Sequence, residues 1–101
     1  MAVTHVVSFS WVEGTTPETV QGIQEALQSW IDRKEGLDGL VSWIAGPDLG
    51  LANGNADFAV SATFTDQPSY ERYRDHPEHR RIITEQIAPL IASRSAAQFS
   101  H

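Results

Sequence analysis

Residues 73–79, YRDHPEH, begin near the end of one apparent helix and run into the start of another. His76 precedes a proline, so its backbone should be extended, and Pro77 suits the first turn of a new helix. The seven residues therefore predict a sharp corner between two consecutive helices, one over residues 65–76 and the other over 77–90. Thr65 or Asp66 can cap the first of them, and Pro89 bends or ends the second.

Strand patterns surround these helices. In residues 3–11, VTHVVSFSW, alternate side chains share a face, and this period of two predicts a β-strand. Residues 40–46 (LVSWIAG), 57–64 (DFAVSATF) and 92–100 (ASRSAAQFS) predict three more strands. Between the first two strands, Thr16 and Pro17 can start a long helix that ends through Gly36 or Gly39.

The predicted order is thus β-α-β-β-α-α-β, within one domain over residues 1–101. This order is typical of a ferredoxin-like α+β unit, in which an antiparallel sheet carries helices on one face. The other face of the sheet then needs a partner, and a second copy of the sheet is the simplest one. We therefore expect a homodimer in which two sheets pair into an α+β barrel.

Composition excludes several classes of function. The net charge of −6 argues against a nucleic-acid surface and against binding to anionic membranes. The absence of cysteine excludes disulfides, thiolate zinc sites and cysteine nucleophiles. No apolar run is long enough for a membrane span, and the N-terminus is a poor signal peptide. We therefore expect a cytoplasmic protein.

The corner contains residues that are suited to acid/base chemistry. His79 should lie in the first turn of its helix, where the positive end of the dipole disfavours an imidazolium. A neutral imidazole near pH 7 is suited to a general base. Tyr73, on the other side of the corner, can donate a hydrogen bond to a developing enolate or oxyanion.

Two other interpretations of these histidines remain open. His76 and His79, together with Asp75 or Glu78, have a spacing compatible with metal ligation, although three protein ligands are usually needed and we expect no metal. The corner is also compatible with a purely structural role. His5 lies on the apolar face of the first strand, where it needs a polar partner, and a structural role is open for it as well.

Three features together resemble the stress-responsive dimeric α/β-barrel domain family. They are VTHVVSF in the first strand, the third strand ending in TF, and the Y-x-x-H-P-x-H corner. The resemblance covers nearly the whole chain. It implies a dimer with a barrel formed face to face, and, from polyketide-cyclising members, a catalytic pair at Tyr73 and His79 with His5 orienting the substrate or a water.

The resemblance also implies a hydrophobic pocket between the sheet and the helices. The substrate-binding residues expected from it are Val7, Phe9, Ile23, Leu27, Trp30, Val60 and His76. The activity that it implies is an aldol- or Claisen-type cyclisation of a small, polyketide-like molecule without a cofactor. The alternative is a stress-associated barrel protein that binds an apolar ligand without turnover, and an oxygenase is a third, less favoured possibility.

Overall fold

The computed structural model describes all 101 residues, and its elements follow the predicted order. The ferredoxin-like α+β fold is thereby confirmed, including the weakly patterned last strand. The strands are β1 (Val3–Trp11), β2 (Leu40–Pro47), β3 (Phe58–Phe64) and β4 (Ile91–Ser100), and the helices are α1 (Pro17–Arg33), α2 (Gln67–Asp75) and α3 (Pro77–Ile82).

The four strands form one antiparallel sheet in the order β2-β3-β1-β4. The central position of β1 decides which distant residues meet. His5 pairs with Ala62 of β3 on one side and with Gln98 of β4 on the other. Phe9 pairs in the same way with Arg94. Because side chains alternate along each strand, paired residues point to the same face of the sheet.

The two faces of the sheet differ in burial. The inner face packs against the helices and contributes Val7, Phe9 and most of β3 to the hydrophobic core. The outer face is uncovered, and Val6 and Ile44 on it are 37% and 71% exposed. The alternation predicted for β1 therefore correctly separates a buried row from a more accessible row.

Helix α1 begins as the sequence predicts and ends earlier than expected. The hydroxyl of Thr16 accepts a hydrogen bond of 3.2 Å from the Thr19 amide, which caps the N-terminus. The helix ends at Arg33 because Lys34 adopts a left-handed conformation with φ of 59°, so the prediction of an end at Gly36 or Gly39 was wrong. No helix of the structure is both long enough and apolar enough to cross a membrane.

The corner has the predicted geometry. His76 is extended, with φ of −58° and ψ of 132°, and α3 starts at the next residue. After α3 the chain remains helical to Leu90, but it passes through a π-helical turn, Ile83–Ile87, and a short 3-10 helix, Ala88–Leu90. Pro89 lacks the N–H that a regular α-helix would direct at Glu85, so the α-helical hydrogen-bond pattern cannot continue through it.

Candidate active site

A cavity of about 270 Å³ lies between the inner face of the sheet and the helical segment that follows the corner. The π-helical turn forms part of its wall through Ile83 and Ile87. Its lining is mainly apolar. Seven of the residues for which the sequence predicted a site role line it, namely His5, Val7, Phe9, Leu27, Val60, Tyr73 and His79.

His79 has a defined tautomer. Its Nδ1 lies 3.0 Å from the backbone carbonyl of Arg74, and a carbonyl oxygen can only accept, so Nδ1 carries the proton. The unprotonated nitrogen of the neutral ring is then Nε2. Burial lowers the pKa of His79, and the nearby cations oppose its protonation further. The neutral state predicted from the helix dipole is therefore supported, although burial is its main cause.

Tyr73 is almost fully buried, and its phenol oxygen accepts a hydrogen bond of 3.2 Å from Nε1 of Trp43. That contact uses an oxygen lone pair and leaves the hydroxyl proton free to donate, and the hydroxyl makes no other hydrogen bond within the protein. Burial raises the pKa of Tyr73 to about 12, which keeps the phenol protonated at neutral pH. The ring centroids of Tyr73 and His79 are 4.7 Å apart.

His5 is also buried, and it has the polar partner that the sequence analysis required. Nε2 of Gln98 donates a hydrogen bond of 2.8 Å to Nδ1 of His5, so the proton of the neutral ring is on Nε2. Burial, with a contribution from the charge of Arg94, lowers the pKa of His5 to about 4. His5 is therefore a neutral hydrogen-bond donor at pH 7, with no protein acceptor for its Nε2–H.

Three of the predicted substrate-binding residues do not line the cavity. Ile23 is part of the core. Trp30 lies behind the site, where its ring stacks on those of Tyr73 and His79 at 5.2 Å and 5.3 Å and so holds both in place. His76 points toward the chain after α1.

The hydrogen bonds of His76 account for that orientation. Its Nδ1 accepts a bond of 3.1 Å from the Glu78 amide, and its Nε2 lies 3.0 Å from the carbonyl of Glu35. Both ring nitrogens are thus used in capping α3 and in joining the corner to the connection after α1. Nowhere in the structure do three His, Asp or Glu side chains converge as a metal-ligand set.

The comparisons with known proteins agree with this architecture. The family model of the Stress responsive A/B Barrel Domain (Dabb) matches residues 3–101. The chain belongs to this family. No curated protein sequence matches it.

Several solved structures are similar to this Dabb domain. A dimeric ferredoxin-like protein of unknown function from Thermobifida fusca YX is 37% identical, with a TM-score of 0.90 over 100% of this chain and 92% of that one. Hydroxynitrile lyase from Passiflora edulis is 15% identical, with a TM-score of 0.79 over 97% and 91%. SnoaB, a cofactor-independent oxygenase from Streptomyces nogalater, is 16% identical, with a TM-score of 0.75 over 99% and 92%. At such low identities, the hydroxynitrile lyase and the oxygenase structures show only that the fold is shared.

The structure of the Dabb domain adds three residues that the sequence analysis did not assign to the site. Trp43 contacts Tyr73, Gln98 contacts His5, and Arg94 lines the cavity. All three lie on strands, and their place at the site depends on the strand order. Side chains alternate along a strand, so the sequence alone predicts that Gln98 and Arg94 share a face of β4. Only the pairing of β4 with β1 brings that face to His5.

Proposed function

We propose that the protein is a cofactor-free acid/base enzyme that cyclises a small, polyketide-like carbonyl compound by aldol- or Claisen-type chemistry. The observation that carries this proposal is the complementary protonation of three groups around one cavity. His79 presents an unprotonated Nε2, whereas Tyr73 and His5 each have a proton that no protein atom accepts. A base beside two neutral donors is the arrangement that enolisation requires.

The chemistry follows from these roles. Nε2 of His79 removes a proton from the carbon next to a carbonyl group, and the electron pair forms an enolate. The enolate oxygen accepts hydrogen bonds from the Tyr73 hydroxyl and from Nε2–H of His5. The enolate carbon then attacks a second carbonyl of the same molecule and forms the new carbon–carbon bond.

In both reactions His79 gives back the proton that it accepted. In the aldol case the new alkoxide takes back the proton that the imidazole accepted, so no atoms are lost. In the Claisen case the tetrahedral intermediate expels a thiolate or alkoxide, which takes that proton instead. Neither route transfers electrons to an external acceptor, so the proposal includes no organic cofactor.

The size of the cavity limits the substrate. About 270 Å³ is slightly below the range of about 300–1,000 Å³ that is typical of ligand pockets. The apolar walls supplied by Val7, Phe9 and Leu27 favour an alkyl or aryl chain over a polar one. Two structural relatives are enzymes by name, a hydroxynitrile lyase and a cofactor-independent oxygenase, which supports a catalytic use of this fold.

We also propose that the working unit is a homodimer joined through the outer faces of the two sheets. The outer face bears a shallow concavity of about 550 Å³ whose lining includes Val6, Ile44, Ala59 and Ala97. An exposed apolar sheet face of this kind promotes aggregation of a monomer and is suited to a two-fold contact. The similar Thermobifida fusca YX protein is described as dimeric.

The first experiment tests proton abstraction separately from the identity of the natural substrate. 2-Heptanone is incubated with the protein in D₂O near neutral pD, and exchange of the protons next to its carbonyl is followed by NMR. We expect exchange above the buffer rate in the wild type and no enhancement in His79→Ala. Linear triketide and tetraketide thioesters then test cyclisation by mass spectrometry.

The alternative function is binding of an apolar molecule without turnover. It predicts that 2-heptanone contacts the cavity, as seen by chemical-shift changes of Leu27 and Ile87, while its exchange rate stays at the buffer value. Binding without exchange, together with no cyclised product from either thioester, would replace the enzymatic proposal with this one.

A further inference from the structure

A second cavity of about 280 Å³ adjoins the first on the side of the corner. The two cavities share five lining residues, which are His5, Tyr73, His79, Ile83 and Arg94. We call the second cavity the vestibule. Its remaining lining includes Arg74, Asp75 and Arg80 and is far more polar than that of the first. A molecule that occupies both cavities therefore needs an apolar part and a polar part.

The vestibule is positive in a chain whose net charge is −6. Three guanidinium groups line it against one carboxylate, that of Asp75. Arg74 donates to both oxygens of Asp75 at 2.9 Å, and Arg80 donates to the same carboxylate at 3.0 Å. These two arginines share one counter-ion. The local sign of charge is thus opposite to that of the whole molecule, which attracts anions to this opening.

Arg94 differs from the other two arginines. It forms no ion pair within the chain, and it lines both the apolar cavity and the vestibule. On β4 it lies opposite Phe9, four residues along the strand from Gln98, which pairs with His5. His5 and His79 line the same two cavities as Arg94, and the charge of Arg94 contributes to lowering the pKa of both histidines.

We propose that the substrate carries a carboxylate, that Arg94 binds this group at the junction with the vestibule, and that the remainder of the molecule lies in the apolar cavity. This inference rests on the proposed function for the reaction, but the binding preference stands independently of turnover. Arg94 is here a specificity-determining residue. It fixes which end of a linear chain enters the cavity first and so which carbon faces His79.

A carboxylate fits this site better than a phosphate. The planar guanidinium of one arginine matches the two oxygens of a carboxylate in a bidentate pair. A phosphate monoester carries close to two negative charges, and its second charge would have to draw Arg74 or Arg80 away from Asp75. The single negative charge of a carboxylate matches the single unpaired guanidinium, that of Arg94.

The test uses hexanoate, methyl hexanoate and hexyl phosphate as probes, because they share a chain and differ in the head group. Their dissociation constants are measured by titration NMR at low salt with the wild type, Arg94→Gln and Arg33→Gln. Arg33 is a matched control because it is an exposed arginine outside both cavities. Circular dichroism melts establish that each variant is folded.

We expect the wild type to bind hexanoate about tenfold more tightly than the ester, since solvent screening limits the worth of an exposed charge pair. Arg94→Gln should bind both equally, and Arg33→Gln should keep the preference. Equal binding by the wild type, or an equal loss in both variants, would overturn the inference. Tighter binding of hexyl phosphate than of hexanoate would overturn the choice of a carboxylate. Turnover without this preference would refute the inference and leave the proposed reaction standing.

Discussion

Gln98 on β4 donates a hydrogen bond of 2.8 Å to Nδ1 of His5 on β1, and this contact fixes which ring nitrogen of a proposed catalytic histidine holds the proton. With Nδ1 used as an acceptor, Nε2–H is left to donate to a substrate oxygen. On the other side of the cavity the carbonyl of Arg74 imposes the opposite tautomer on His79. Two chemically identical side chains are thereby held in opposite tautomers, which suit the proposed roles of donor and base.

Gln98→Glu should reverse the tautomer of His5. A carboxylate only accepts, so Nδ1 must carry the proton and Nε2 is left with a lone pair. We expect turnover to fall about a hundredfold, the usual effect of losing one oxyanion donor. The ¹⁵N shifts of the His5 ring, measured at pH 8 where the ring is neutral, report the tautomer directly. Gln98→Leu is the control, since it leaves both tautomers accessible. A ring that stays protonated on Nε2 in Gln98→Glu would contradict this assignment.

Tyr73→Phe tests the proposed oxyanion donor with almost no change in volume. Turnover should fall by about ten- to a thousandfold because the enolate loses one hydrogen bond. Stability should change little, since the lost partner is the indole N–H of Trp43, which is only partly buried. Steady-state kinetics and thermal melts measure the two effects. A fully active Tyr73→Phe would eliminate the role assigned to this hydroxyl.

His79→Ala removes the proposed base and should lower kcat by about a hundredfold or more. Because His79 and Tyr73 act on one transition state, the double variant should lose less than the product of the two single losses. Added imidazole should restore part of the activity of His79→Ala by occupying the vacated space. If the double variant shows independent, multiplicative losses, the two residues do not act in the same step.

How far the sequence predicts this site depends on whether a contact is local or crosses the sheet. The corner could be predicted because Pro77 restricts His76 and starts α3, and both effects operate within a few residues. The same local rules failed at the end of α1, where Lys34 adopts a conformation more typical of glycine. The partners Trp43 and Gln98 could not be predicted, since each lies far along the chain from the ring it contacts.

The wall of the cavity shows the same limit. Helical periodicity places Ile23 and Leu27 on one stripe of α1, but the structure directs Leu27 alone into the cavity. The angle at which α1 crosses the sheet decides which residues of its apolar stripe line the cavity. That angle depends on the packing of the whole core, and it cannot be deduced from the periodicity of the sequence.

The pH dependence of kcat/KM should reflect the lowered pKa of His79. Burial and the charges of Arg80 and Arg94 lower this pKa, while the hydrogen bond to the Arg74 carbonyl raises it. The reactive form is unprotonated, so kcat/KM should rise with pH through a pKa below the usual value of about 6.5 and then remain flat. No loss is expected up to pH 10, because the pKa of Tyr73 is about 12. An acidic limb centred above pH 7 would show that another group is the base.

The proposed dimer can be tested with two matched substitutions. Val6 lies on the outer face of the sheet and is 37% exposed, whereas Val12 lies beyond the end of β1 and is 40% exposed. Val6→Asp should yield monomers, because two buried and unpaired carboxylates would face each other across the two-fold contact. Val12→Asp should leave the dimer intact. Light scattering at micromolar concentration measures both, and a wild type with the mass of a monomer would refute the dimer.

The last prediction separates the two histidines of the corner, which the sequence cannot distinguish. His76 uses both ring nitrogens in the fold, so His76→Ala should lower the free energy of unfolding by about 1–3 kcal/mol through loss of a helix cap and of a bond to the Glu35 carbonyl. His76→Asn should recover part of that stability, since asparagine caps helices well but cannot reach Glu35. Both variants should keep kcat/KM within a few-fold of the wild type, because His76 does not line the cavity. Denaturant titrations measure the stabilities. A large fall in kcat for a fully folded His76→Asn would show that His76 takes part in the reaction, although it does not line the cavity.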